Sequence, residues 1–242
     1  MSQFASEKKL ISIRVDKALL LRIEEYARSE LVSLSGIPAE EIPEVFSITI
    51  TDSVGTEVLR SIAEHRPAQL PDSVQRVAVS FDSRYSRAPQ RKAGIYVNIS
   101  FSRERLFSAF SVTCIAEAAR DTVVGINDAV LRILEPHWTD NHFFHPSSGS
   151  SVLLGLTIWT SGTLSISLFA SGSISAASWL LLVAGCIGAY AFAGRFLKPW
   201  TTFDTRVDRR NEELWLLLRN GMVGFILFGS VFTLVRRRLL GF

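Results

Sequence analysis

Three apolar blocks, residues 152–170, 176–194 and 221–235, constrain this chain more than any other feature. A membrane-spanning helix needs about 20 mostly apolar residues, within a range of roughly 17–25. The first two blocks meet that length, and only the short turn SGSIS at residues 171–175 separates them. That spacing predicts two helices running out and back as a transmembrane hairpin over residues 152–194. The third block is shorter, and Arg219 and Asn220 divide it from the apolar run at residues 214–218. An arginine inside a span is costly unless it snorkels or pairs. Residues 214–242 therefore read as a third transmembrane or re-entrant helix with a basic tail.

Composition supports the same division. Charged residues make up 20% of the 242, yet mean hydropathy is +0.24. The charge gathers in residues 1–135 and 195–213, away from the blocks. Such segregation favours a membrane class over an oily globule. The lipid bilayer is then the expected partner, and the reading is of a multi-pass membrane protein with its N-terminal domain cytosolic. The N-terminus has no apolar run of signal-peptide length and is broken by Glu7, Lys8 and Lys9, which agrees with a cytosolic head. The formal net charge of +3 is too modest and dispersed to argue for nucleic acid.

Positive charge marks the cytosolic side of a membrane protein. The loop at residues 195–213 carries Arg195, Lys198, Arg206, Arg209 and Arg210, and the tail carries Arg236, Arg237 and Arg238. Three spans would place these clusters on opposite sides, so one of them breaks the rule. The first block also holds Thr157, Thr160, Ser161, Thr163, Ser165 and Ser167. Such hydroxyls can bond back to their own helix. With Gly155, Gly162, Gly185 and Gly188 they suit close helix packing, within one chain or between copies in a homo-oligomer. The sharper alternative is a polar stripe lining a pore.

Residues 1–135 read as an α+β domain with a mixed or antiparallel sheet and helices on one face. Ile11, Ile13 and Val15 alternate as in a half-buried strand. Asp16 offers an N-cap for a helix to about Leu34, with Leu20, Ile23, Ala27, Leu31 and Leu34 on its inner face. Residues 35–44 form a connector. Strands follow around Phe46 to Ile50, Val77 to Phe81, Ile95 to Phe101 and Phe110 to Cys114. A short helix is expected near Val58, Leu59 and Ile62. A final helix runs from about Ala116 to Leu134 and ends at Pro136. The order β-α-β-(α)-β-β-β-α gives an architecture that hosts many unrelated functions.

Two clusters stand out as candidate sites. Arg84, Arg87, Arg91 and Lys92, with Tyr85 among them, crowd a loop between two strands. Guanidinium forks match phosphate oxygens, so the loop is a candidate for a phosphate-bearing ligand or lipid headgroup; the plainer reading is a solvated hairpin. His137, His142 and His145 lie in the segment joining head to hairpin, residues 136–151. Imidazoles ligate zinc, but H-x4-H-x2-H is no established zinc spacing. Trp138, Phe143 and Phe144 sit among them just before the first block, where aromatic side chains mark a membrane interface, with Arg195, Lys198 and Arg236 to Arg238 as its basic counterparts.

No serine lies in G-x-S-x-G, no glycine-rich phosphate loop is present, and Cys114 has the apolar neighbours of an inert thiol. No cofactor is implied. The leading expectation is a non-enzymatic integral membrane protein whose cytosolic head binds a ligand or protein partner. The alternatives are an oligomeric pore-forming or membrane-disrupting effector gated by the head, and a membrane-tethered enzyme.

Overall fold

Alternation of apolar residues in four strands builds the head. In β3 (Phe46–Thr51), β5 (Arg76–Asp82), β6 (Gly94–Ser102) and β7 (Ala109–Ala116), every second residue is buried. The strands pair antiparallel, with Ile48 opposite Val79, Val79 opposite Ile99, and Ile99 opposite Phe110. Directly paired residues share a face, so these apolar side chains form one continuous buried surface. This computed structural model describes residues 2–65, 69–86, 88, 91–145, 148–171 and 174–240. Arg87, one of the four cations of the basic loop, lies outside them.

Among the described residues the sheet has six strands, in the order β1-β7-β6-β5-β3-β4. Its edges are β1 (Ser2–Lys9) and β4 (Thr56–Leu59), and every pairing is antiparallel. The sheet is thus antiparallel throughout, within the α+β class expected. The segment expected to be a short helix after residue 55 is β4 followed by a 3-10 turn, Ile62–Glu64. The expected connector at residues 35–44 holds the 3-10 turn Ala39–Glu41 and the start of a short helix, α3 (Ile42–Val45).

Two longer helices complete the core. Helix α1 (Lys17–Tyr26) begins at Asp16, whose carboxylate accepts the Leu19 amide at 2.7 Å, satisfying one of the free donors of the first turn. It continues through a π-helical turn, Ala27–Leu31, into α2 (Val32–Ser35). Gly36 then turns the chain in the left-handed region, at φ 70°, and its amide closes onto the Val32 carbonyl. Helix α4 (Ala119–Leu134) buries Val123, Ile126, Val130 and Leu134 on one face, packs on β1 and β7, and touches α1.

The chain forms two compact units. The first, the head, is Met1–His142 together with Pro199–Asp208; the second, helical, is Phe143–Lys198 together with Arg209–Phe242. Within residues 195–213, read from sequence as a charged loop, Thr201–Phe203 form a strand, β8, that pairs parallel with β2 (Ile13–Val15).

The helical unit consists of α5 (Ser148–Ala170), α6 (Ile174–Leu197) and most of α7 (Arg206–Leu240). Helices α5 and α6 pack on one another. Their expected transmembrane character does not stand: among the described residues, no helix is long and apolar enough to cross a membrane. The transmembrane region and the multi-pass membrane localisation inferred from block length are corrected accordingly. Length of an apolar block was a poor guide for identifiable reasons. Hydroxyls recur along α5. The centre of α6 leans on Ala184, Gly185, Gly188 and Ala189, which add little apolar area. Helix α7 opens on Arg206, Asp208, Arg209, Arg210, Glu212 and Glu213 and meets Arg219 later.

Candidate functional site

The two faces of the head sheet differ in chemistry. One is the apolar core beneath α1 and α4. The other presents small hydroxyl and amide side chains in rows across the strands. Pairing aligns Ser47, Ser80, Asn98, Ser111 and Glu7, one residue from each of five adjacent strands. With strands about 4.8 Å apart, that row is about 19 Å wide. A neighbouring row holds Asp82, Tyr96, Thr113 and Ala5. Ser47, Ser80, Asn98, Ser111, Asp82, Tyr96 and Thr113 are all half-exposed. The period-2 rule dictates this face: once the apolar residues point to the core, their polar neighbours must point away.

The basic loop adjoins this face. Asp82 caps the 3-10 turn Ser83–Tyr85 and grips Arg84 bidentately, with Arg84 Nε donating to Oδ1 at 2.8 Å and Nη2 donating to Oδ2 at 2.7 Å. The Asp82 bond holds the Arg84 guanidinium's pKa above its ordinary value. The guanidinium also lies over the Tyr96 ring, 4.5 Å from its centroid, within cation–π range. Arg91 Nη1 donates to the carbonyls of Ser83 and Arg84, at 3.3 and 2.7 Å. Lys92 is anchored through its backbone amide to the Ser35 carbonyl at 2.8 Å, and the residue is exposed. Among the described residues of the loop, Arg84 is thus neutralised locally, Arg91 bonds to backbone carbonyls, and Lys92 is left toward solvent.

The histidines do not converge. Among the described residues no group of three or more His, Cys, Asp or Glu is placed to hold a metal ion. His137 ends the 3-10 turn Glu135–His137. His142 belongs to a segment stitched to the head: Ser12 Oγ donates to the Thr139 carbonyl and accepts the His142 amide, and the Thr139 amide donates to the Ser12 carbonyl. Trp138 bridges Ile13 in the same segment and is partly exposed. His145, in the helical unit, meets the Lys198 carbonyl at 2.7 Å through Nε2. In that unit Phe144 packs edge-on against Trp215, Phe143 is exposed, Arg195 is exposed, and Lys198 pairs with Glu212 at 3.4 Å. Arg236, Arg237 and Arg238 lie on α7, and their side chains are outside the described set.

A second polar constellation was invisible in the sequence. Arg103 forms a bidentate pair with Asp208, at 2.8 and 3.1 Å, and its Nε donates to the Val74 carbonyl at 2.7 Å. Asp208 also accepts the Phe203 amide at 2.8 Å, and its own amide donates to Thr205 Oγ1. The Trp200 amide donates to the Arg103 carbonyl. This latch fastens residues 199–208 to the rest of the head. Its partners are 105 residues apart, so no local pattern announces it.

No protein-family model, no curated protein and no solved structure matches this chain.

Several remaining polar groups of the head serve the fold. Buried Glu24 accepts Arg28 Nε and the Ile62 amide, each at 2.8 Å. Asp52 accepts the Val54 and Gly55 amides of its turn; the Gly55 and Val54 amides lower its pKa, with burial opposing them. Cys114 faces the core, and burial pushes its thiol pKa up, the setting of an unreactive thiol.

Proposed function

We propose that this chain is a non-enzymatic binding protein whose α+β head takes a ligand or protein partner on the open face of its sheet. The observation that carries this reading is the asymmetry of the sheet: one face buried under two helices, the other a broad, half-exposed field of hydroxyl and amide groups. Such groups donate and accept in register across the strands, and little must be rearranged to meet a complementary surface. Low conformational cost favours recognition by a rigid face. Tyr96, with the Arg84 guanidinium stacked on it, forms an aromatic and cationic corner at one end of the field. Asp82, in the row beside Tyr96, is held by Arg84 and so maintains structure.

The test is site-specific photocrosslinking of the full chain in cells that make it. A photoreactive residue at Asn98 or Ser111 should give a discrete adduct, and one at Glu25, on the exposed side of α1, should not. Equal labelling from all three positions, or none from the sheet face, would refute the reading. Asn98→Arg should abolish the adduct formed from Ser111 while leaving the head folded.

A further inference from the structure

Helix α6 carries a seven-residue repeat on its exposed side. Ser178, Gly185 and Phe192 form one series, and Leu182, Ala189 and Phe196 form the other, alternating four and three residues apart. All six are exposed, and Leu181 extends the stripe. Of the described residues away from the stripe, Ala184, Gly188, Ala193 and Gly194 are half-buried or buried, and Arg195, near the end of the helix, is exposed. This is the a/d spacing of a helix–helix seam. From Leu182 to Phe196 it runs about 21 Å.

Its centre differs from its flank. A Cβ placed on Gly185 would meet nothing within 4 Å among the described residues. Gly185 and Ala189 stand one turn apart, so a second helix can approach the backbone there. Phe192 and Phe196, with ring centroids 4.8 Å apart, rise beside that flat stretch as a ridge. A shallow centre next to a bulky ridge is complementary to another helix.

The hairpin is also prepared for desolvation. The hydroxyls of Thr160, Ser161, Thr163 and Ser165 each donate to a carbonyl of α5 itself, at 2.8–3.1 Å. Polar groups satisfied in this way can be covered by protein without losing a hydrogen bond. On α6 itself Phe192 and Phe196 are 68% and 66% exposed, and Leu181 and Leu182 44% and 38%. At about 150–250 Å² per aromatic side chain the two rings present roughly 270 Å². With the two leucines, Gly185 and Ala189 the seam approaches the about 600 Å² per partner of the smaller stable interfaces.

We propose that α6 pairs with α6 of a second copy of this chain, the two helices crossing at Gly185 and Ala189. The repeat supplies the register, the glycine the close approach, and the exposed aromatics the area. The occupant is a second copy because the seam is continuous and self-complementary about its small-residue centre.

The experiment uses the full chain in a mild non-ionic detergent, which suppresses random aggregation. Light scattering should give twice the chain mass for the protein component at micromolar concentration. In a Cys186→Ser background, Ala189→Cys should form a disulfide-linked dimer on mild oxidation, and Thr163→Cys on α5 should not. Gly185→Leu should reduce the Ala189→Cys crosslink at least tenfold and halve the mass, with helix content and protease resistance of the head unchanged. Gly185→Ala should weaken association less. A single-chain mass for the parent protein, with detergent alone covering the seam, would overturn the proposal. So would crosslinking that is equal at both cysteines, or a Gly185→Leu protein that stays dimeric.

Discussion

The head and the helical unit sort their side chains in opposite ways. In the head, Phe46, Phe81, Phe101 and Phe110 are buried, and Ser47, Ser80, Asn98 and Ser111 of the same strands are only half-buried. In α5, Ser165 is buried and Ser161 and Gly162 are half-buried beside it, while Trp159 and Ile166 project. The head gains its stability by removing its own apolar surface from water. Among its described residues the hairpin half-buries or buries small groups such as Ser161, Gly162, Ser165 and Gly188 and leaves Trp159, Phe192 and Phe196 exposed. One sequence can therefore contain a part that is complete as folded and a part whose surface calls for a partner.

The sharpest way to break this comparison is to remove the same side chain from each region. Phe101→Ala in the head core should destabilise unfolding by about 3–5 kcal/mol, the usual loss for a fully buried phenylalanine. Phe192→Ala on α6 should leave head unfolding within about 0.5 kcal/mol of the parent, as expected for an exposed site. Urea titrations of the full chain, followed by near-UV circular dichroism of the head, check both. Similar losses from the two substitutions would end the distinction.

Next in size is the latch. Asp208→Ala leaves Arg103 without its bidentate partner and the Phe203 amide without its acceptor. Breaking a buried pair costs about 3–5 kcal/mol, and the partial exposure of Arg103 reduces this to about 2–4 kcal/mol. The loss should fall on residues 199–208. Hydrogen exchange should quicken at Thr201 and Phe203 while the amides of β6 remain protected. If protection in β6 falls equally, residues 199–208 are integral to the core and not fastened onto it.

These two regions also differ in how much could be read from residues alone. Four central strands and α4 were legible because their apolar periods match the geometry of strand and helix over many residues. The Asp16 cap was legible because its pattern is local. Strand β1 escaped because Phe4 is its one large apolar residue, and an edge strand needs no alternating core face. The β4 segment was misread because Val58 and Leu59 suit either period in so short a run. The hairpin's helices were legible from block length, but their environment was not, since length alone ignores the hydroxyls and small residues within. In the candidate site, the cations of the loop were visible and their pairing with Asp82 and backbone carbonyls was not. The open sheet face could have been found by reading the polar half of each alternating strand as a surface in its own right.

A smaller effect tests the entry to the head core. Gly36→Ala forces a Cβ into the left-handed region at φ 70°, at about 1–2 kcal/mol. The same unfolding titration should report this loss, and Phe192→Ala should add to it only within error because the two residues belong to different units. A coupling above about 0.5 kcal/mol between the two would argue that the regions are not independent.

The smallest effect is a dependence on alkaline pH. Tyr26 lines an apolar cleft between the π-helical turn and the sheet, with Ile23, Phe46, Phe81 and Val130. Burial, helped by the negative charge of Glu30, pushes its phenol up to about 12. The folded state thus holds the phenolic proton more tightly than the unfolded chain, where Tyr titrates near 10. Its stabilising contribution is complete below about pH 10 and is lost as pH rises from there toward 12. A shift of about two units corresponds to about 2.7 kcal/mol at most, and solvent screening at this half-buried ring lowers it to roughly 1 kcal/mol. Tyr26→Phe removes this one titration and keeps every other, so the difference between parent and variant should change between pH 8 and pH 11.5 by that amount. A difference that is constant across this range would mean the phenol reaches water in the folded head, and that the cleft beneath the π-helical turn opens wider than the packed core implies.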